Sequence, residues 1–217
     1  LMAIDCENAE LKDETIEEYK KLELSQEPFT QAKYYIPYYD NTSTKRSTYL
    51  CPEDVTSYIG SGKLKKFKYV YEDDKESIEM MFANVEDPNQ TMEAIVSKII
   101  DERDADFGKL KTWSDFLETV SDNSQKGSSG SKGEISVLSW RKFKRIVNKA
   151  IKNGDMFAYW VVPAQSECRL ADELKHIKKN EVHVIDIAEL PGDKQAFVFG
   201  DAVKTIYNLK LGEYDNG

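Results

Sequence analysis

Few residues of this chain are of a type and spacing that could do chemistry. In "YIGSGKLKKF" Gly60, Gly62 and Lys63 spell GSGK, the residue types with which a phosphate loop cradles a nucleotide. The full loop needs a glycine at its head and a Ser or Thr after its lysine, where this chain has Ser57 and Leu64. It must also follow a buried strand and open a helix; here it follows "EDVTSY" and leads into the strand-like "KFKYVY". A surface turn is the stronger reading, and Gly60, Gly62 and Lys63 stand only as weak nucleotide-binding candidates. "VHVIDIAE" ends an apolar run in Asp186, where a Walker B carboxylate would order Mg²⁺, but Ile187 follows and the tandem carboxylate is missing. A strand-end Asp equally caps the turn that follows it. Asp5 ends "LMAID" in the same way. A nuclease-like pair of Asp5 and Asp186 would require the two to converge to ~4 to 8 Å around a divalent ion. No catalytic residue and no metal ligand set is assigned.

A second constellation is electrostatic. "SWRKFKRIVNKAIKNG" reads as a helix with Ser139 as N-cap and Gly154 as its C-terminal stop. Trp140, Phe143, Ile146, Val147, Ala150 and Ile151 form its apolar stripe. Arg141, Lys142, Lys144, Arg145, Lys149 and Lys152 fill the other face, with no acidic residue among them. Residues 126–182 carry 12 basic against 6 acidic side chains, whereas residues 1–125 carry 15 against 27. The basic face at 139–152 is therefore a candidate contact for DNA or an acidic protein partner. The plain alternative is a solvated face whose long stems cover apolar surface.

Cys6, Cys51 and Cys168 are far apart, which fits reduced thiols in the cytoplasm better than a disulfide framework. His176 and His183 have no cysteine pair beside them, so zinc is not expected, and no cofactor is assigned to the chain itself. With 217 residues, 40% hydrophobic and 32% charged, the chain has enough apolar mass for a real core beneath a very polar surface. No stretch approaches the ~18 to 20 apolar residues that cross a bilayer, so no membrane partner is expected.

The elements that must position these residues come in a mixed order. Strands are expected at "LMAID", at "AKYYIPYYD" up to Pro37, at "KKFKYVYED" with Phe67, Tyr69 and Tyr71 on one face, and at Val182 to Ile187. A short exposed helix is expected in "LKDETIEEYKKLEL", and "DNTSTKRST" reads as a polar loop. Asp87, with Pro88 in the first turn, predicts a helix whose stripe is Met92, Ile95, Val96, Ile99 and Ile100. Thr112 caps "WSDFLETV" with Asp115 third in line. Ser121 to Gly133 is Gly/Ser-rich and reads as a flexible segment, native or an engineered linker. Helices follow in "CRLADELKHIKK" and from Pro191 to Leu211. The order predicts an α/β fold, a parallel sheet with a helical insertion: residues 1–73 as its first part, 74–179 as the insertion, 180–217 as the closing strand and helix.

Two stretches resemble one family. "LMAIDCENAELKDETIEEYKKLELSQEPFTQAKYYIPYY" resembles the segment after the Walker A helix of HerA/FtsK-like P-loop ATPases, and "NEVHVIDIAELPGDKQAFVFGDAVKTIYNLKLG" is similar to the segment before their Walker B strand. The resemblance implies a partial RecA-like sheet, with Asp5 ending the second strand and Asp186, Leu190 and Pro191 as its "ID…LP" turn. It implies a parent that uses ATP and Mg²⁺, assembles as a homohexamer and moves along duplex DNA. No residue here matches the Walker A lysine, the Walker B carboxylates or an arginine finger. The expectation is a portion of an ATP-driven DNA translocase or helicase, itself inactive, with a structural or partner-contacting role. The alternative is a free-standing α/β interaction or regulatory module without catalysis.

Overall fold

The computed structural model describes residues 21–23, 32–40, 48–82, 85–130, 133–152, 155–157, 164–178 and 181–212. Among these, β1 (Ala32–Pro37), β2 (Leu64–Phe67), β5 (Glu167–Cys168) and β6 (Val182–Ile185) form one parallel sheet in the order β5-β2-β1-β6. Tyr34 of β1 pairs with Leu64 on one side and Val184 on the other. The fold is α/β, a partial RecA-like parallel sheet carrying a block of helices. The expected strand at "LMAID", with Asp5, lies outside the described residues, as does the acidic helix apart from 21–23.

β1 is central and nearly all of it is buried. That suits its run of aromatic and branched side chains, since a parallel strand is covered on both faces. Ala32, Tyr34 and Ile36 point to one face and pack with Val55 and Leu64 in a small core. Val55 belongs to α1 (Pro52–Gly60), the helix that crosses from β1 to β2. Tyr35 points to the other face, into the main core.

The expected third strand is shorter than its alternation promised. β2 stops at Phe67, Tyr69 makes a single parallel bridge to Phe157, and α2 begins at Tyr71 (Tyr71–Asp74). The Asp74 carboxylate accepts the Val70 amide at 2.6 Å and turns the chain there. Phe67, Tyr69 and Tyr71 still share one core, as their spacing implied.

A 3₁₀ helix (Lys75–Phe82) follows, then α3 (Thr91–Ile100), α4 (Trp113–Lys126), a hairpin of β3 (Ser128–Gly130) and β4 (Gly133–Ile135), and α5 (Val137–Ile151). The N-cap of α3 is Gln90, at φ 52°, rather than Asp87; Asp87 and Pro88 both lie in the turn before the helix, from which the Asp87 carboxylate still accepts the amides of Thr91 at 3.0 Å and Met92 at 2.6 Å. Thr112 caps α4 through the Asp115 amide at 3.1 Å.

Two readings are corrected here. Residues 121–126 are the last turns of α4, and the hairpin takes up the Gly/Ser residues after them. Asn123 and Ser124 are buried there and return hydrogen bonds to their own helix, on Thr119 O and Ser121 O. Gly127, at φ 73°, makes the turn into the hairpin. In α5 the N-cap is Ser136, one turn before Ser139, and its hydroxyl accepts the Ser139 amide at 3.1 Å. The helix ends at Ile151, and Gly154 lies outside the described residues.

α6 (Leu170–Lys175) is a short part of the expected helix, and β6 ends at Ile185 rather than Ile187. α7 (Gly192–Leu211) runs the expected course from Pro191. One apolar cluster runs from Tyr35, Phe67 and Cys168 of the sheet through Ile95, Phe116 and Trp140 to Phe197 of α7. Sheet and helical block share that core.

Candidate functional site

In a doubly wound parallel sheet the ligand crevice lies outside the carboxyl ends of the strands, where the strand order reverses. From β1 the chain builds outward through β2 to β5, then returns to β6 on the other side of β1. The reversal is thus between the carboxyl ends of β1 and β6. Asp186, the first residue past β6, stands there and is buried. Its Oδ2 accepts the Thr48 hydroxyl at 2.5 Å and the Tyr49 amide at 3.3 Å, and its Oδ1 accepts the Ala188 amide at 3.3 Å. All three donors are the chain's own. The carboxylate holds its turn and ties the segment before α1 to the end of β6.

Beside it, the ends of β1 and β2 interleave cations and rings. Lys66 Nζ sits 3.8 Å from the centroid of Tyr39 and donates to Tyr39 O at 3.4 Å. Lys68 Nζ sits 3.7 Å from the centroid of Tyr38 and 3.0 Å from Glu167 Oε2. Both lysines are buried. Burial lowers the Lys66 ammonium from its ordinary range, and burial together with Glu167, Asp40 and Asp155 raises the Tyr38 phenol. Lys66 stacked on Tyr39, and Lys68 stacked on Tyr38 and ion-paired to Glu167, join strand ends.

On the other face, Arg169 follows β5 and gathers carboxylates. Its Nη2 donates to Asp74 Oδ1 at 2.6 Å and its Nη1 to Asp172 at 3.0 Å, while Asp73 stands 3.8 Å from its Nε. Burial pushes the Asp74 carboxyl up to about 6, against the pull of Arg169 and the Val70 amide. Asp201 of α7 is buried nearby, takes the Ser77 hydroxyl, and is likewise raised by burial. This cluster joins α2, the 3₁₀ helix, β5, α6 and α7. Sequence reading missed it: its members are acids and one arginine on separate elements, with Asp74 and Arg169 far apart in the chain.

The other sequence candidates are scattered. GSGK is the turn from α1 into β2, at the amino edge of the sheet, opposite the crevice. The amides of Ser61, Gly62 and Lys63 donate to Ser57 O, Ile59 O and Tyr58 O, closing the helix. Those amides cannot also cradle a phosphate, so Gly60, Gly62 and Lys63 do not fit a nucleotide-binding loop. On α5, Lys142 donates to Glu86 O at 2.9 Å, Lys144 to Ser121 Oγ at 2.9 Å and Arg141 to Ser124 O at 3.3 Å, and Lys149 pairs with Asp193 at 3.5 Å. Arg145 and Lys152 are exposed. Four of the six basic residues are thus engaged in packing α5 to its neighbours.

His183 is packed rather than poised. It stacks on Tyr35, shares that hydroxyl through Nδ1 at 3.1 Å and meets Glu181 through Nε2 at 3.1 Å. Cys51 caps α1, and Cys168 is buried. Among the described residues no group of three or more His, Cys, Asp or Glu side chains could hold a metal ion, and no helix is long and apolar enough to cross a membrane. No family model, no curated protein and no solved structure matches the chain.

Proposed function

We propose that this chain is a portion of a HerA/FtsK-like ATP-driven DNA translocase or helicase of the cytoplasm, without the residues that hydrolyse nucleotide. Its role is structural, with DNA or protein contacts through the exposed part of α5. The observation that carries this reading is the order at the end of the sheet: a parallel strand, the Asp186 turn, Pro191 and a 20-residue helix. That is the "ID…LP" order on which the resemblance rests. ATP and Mg²⁺ belong, on this reading, to other parts of the parent motor.

Two titrations test it. Calorimetry with ATP and Mg²⁺ should show no binding in the micromolar range; micromolar binding would mean that the chain carries a nucleotide site of its own. Titration with duplex DNA should show weak binding that salt abolishes and that Arg145→Glu with Lys152→Glu removes. No DNA binding at low salt would favour the second reading, a free-standing α/β interaction or regulatory module. The shared core of sheet and helices supports that alternative.

A further inference from the structure

A chain of hydrogen bonds crosses the sheet through His183. Its Nε2 meets Glu181 Oε2 at 3.1 Å, and its Nδ1 meets the Tyr35 hydroxyl at 3.1 Å. The same hydroxyl stands 3.2 Å from Glu173 Oε2 on α6. A lysine fixes each end: Lys33 Nζ lies 3.0 Å from Glu181 Oε1, and Lys65 Nζ lies 2.7 Å from Glu173 Oε1. The His183 side chain is 4% exposed and Tyr35 1%, so solvent does not stand in for a missing partner.

The number of protons decides which of these bonds coexist. Both carboxylates are ion-paired and can only accept, so His183 Nε2 carries a proton toward Glu181. Tyr35 has one proton and keeps it, because burial, with Glu173 beside it, pushes the phenol up. When the hydroxyl donates to Glu173, it can only accept from Nδ1, and His183 then holds a proton on each nitrogen. When the ring is neutral, Nδ1 is a bare acceptor in a sealed site. The Glu173 side chain is 22% exposed and retains Lys65, so it can take water instead. The hydroxyl therefore turns from Glu173 to Nδ1. We propose that Tyr35 is a two-way relay: protonation of His183 ties α6 to the sheet through Glu173, and loss of that proton releases the tie. The added charge lies between Glu181 and Glu173, while Lys33 and Lys65 are each matched to a carboxylate. Cys168 of β5 stays uncharged, since burial pushes its thiol up. Asp74, which titrates at about 6, reaches the start of α6 through Arg169. The proposal does not depend on the motor reading.

Two measurements on the full chain test it. Long-range nitrogen–proton NMR follows the ring from about pH 5 to about pH 9. Both His183 nitrogens should carry protons at the acid end, and Nε2 alone at the alkaline end. His183→Gln assigns the signals, since His176 is the other histidine. Amide hydrogen exchange, read as protection factors, should show α6 losing about two- to tenfold protection at the midpoint of the ring's own titration. Tyr35→Phe should leave the ring titrating but remove the α6 step at that midpoint, and His183→Gln should remove it too. A step due to Asp74 and Arg169 would survive both variants. Four results would overturn the proposal: a ring whose charge is constant across the range, a neutral ring protonated on Nδ1, no α6 step in the parent, or a step that persists in His183→Gln. If Tyr35→Phe does not fold, the parent and His183→Gln still decide.

Discussion

The Thr48 hydroxyl donates to the Asp186 carboxylate at 2.5 Å, joining the approach to α1 with the turn after β6. Both residues are buried. Thr48→Val removes the donor and leaves part of a buried carboxylate unmatched, so unfolding free energy should fall by about 1 to 3 kcal/mol. Urea denaturation followed by tryptophan fluorescence measures it. In a double-mutant cycle with Asp186→Asn the two changes should be less than additive. Additive losses would show that the bond contributes nothing of its own.

Arg169 is the only guanidinium in contact with the buried Asp74 among the described residues. Arg169→Ala leaves that carboxylate uncompensated and should cost about 3 to 5 kcal/mol. Arg169→Lys keeps the charge but cannot reach Asp74 and Asp172 as a fork does, so it should fall between the two. Chemical denaturation of the three proteins should rank them in that order, and equal stability of Lys and Ala variants would assign the effect to geometry alone.

The pH profile should carry two opposite signatures. Asp74 titrates at about 6 when folded, above the ~3.9 of an unfolded Asp. The folded state holds that proton more tightly, so this contribution is largest below pH ~3.9 and is lost as pH rises through about 6. The bond from His183, the Lys178 amide and Lys33 hold Glu181 at about 2, below the unfolded ~4.3. Its contribution is complete above ~4.3 and is lost as pH falls through about 2. Thermal melts across pH should therefore lose their slope between about 4 and 6 in Asp74→Asn, and their acid-side slope in Glu181→Gln. An unchanged slope in either variant would remove that group from the account.

Gly60 and Gly62 should respond oppositely to a methyl group. At both, an added Cβ meets nothing within 4 Å, but Gly62 lies at φ 73°. Gly60→Ala should be neutral or stabilising by up to ~1 kcal/mol, through the unfolded chain. Gly62→Ala forces a left-handed conformation on alanine and should destabilise by ~1 to 2 kcal/mol. Neither should create or remove ATP binding by calorimetry.

Trp113 Nε1 donates to Tyr69 O at 2.8 Å in the core. Trp113→Phe keeps much of the ring but strands that carbonyl, so a loss of about 1 to 3 kcal/mol is expected in thermal or urea unfolding. Loss of fluorescence without loss of stability would count against it.

Legibility in the sequence followed periodicity and local caps. The stripe of α5 was readable because Trp140, Phe143, Val147, Ala150 and Ile151 keep helical spacing, and all five are buried. The turn role of Asp186 was readable from its place after an apolar run. α1 escaped notice because Val55 alone among its residues is fully buried, although Pro52 at its start and Glu53 and Asp54 in its first turn mark a helix N-terminus. Ser121 to Lys126 misled by composition: small polar residues look like linker, yet here they bond back to their own helix. The lysine–tyrosine stack and the Arg169 cluster depend on which strands lie side by side. No window of sequence contains that information.

β1 lies between β2 and β6, so Tyr34 finds one neighbour at Leu64 and the other at Val184. During synthesis the first neighbour leaves the ribosome soon after β1 does, while the second waits until the whole helical block has been made. Throughout that interval the flank of β1 that β6 will occupy is an open row of backbone donors and acceptors, suited to pairing with a strand from another nascent chain. The large helical block between the two strands thus sets a delay. Expression yield should be sensitive to translation speed across that block, and slow codons there would lengthen the vulnerable period.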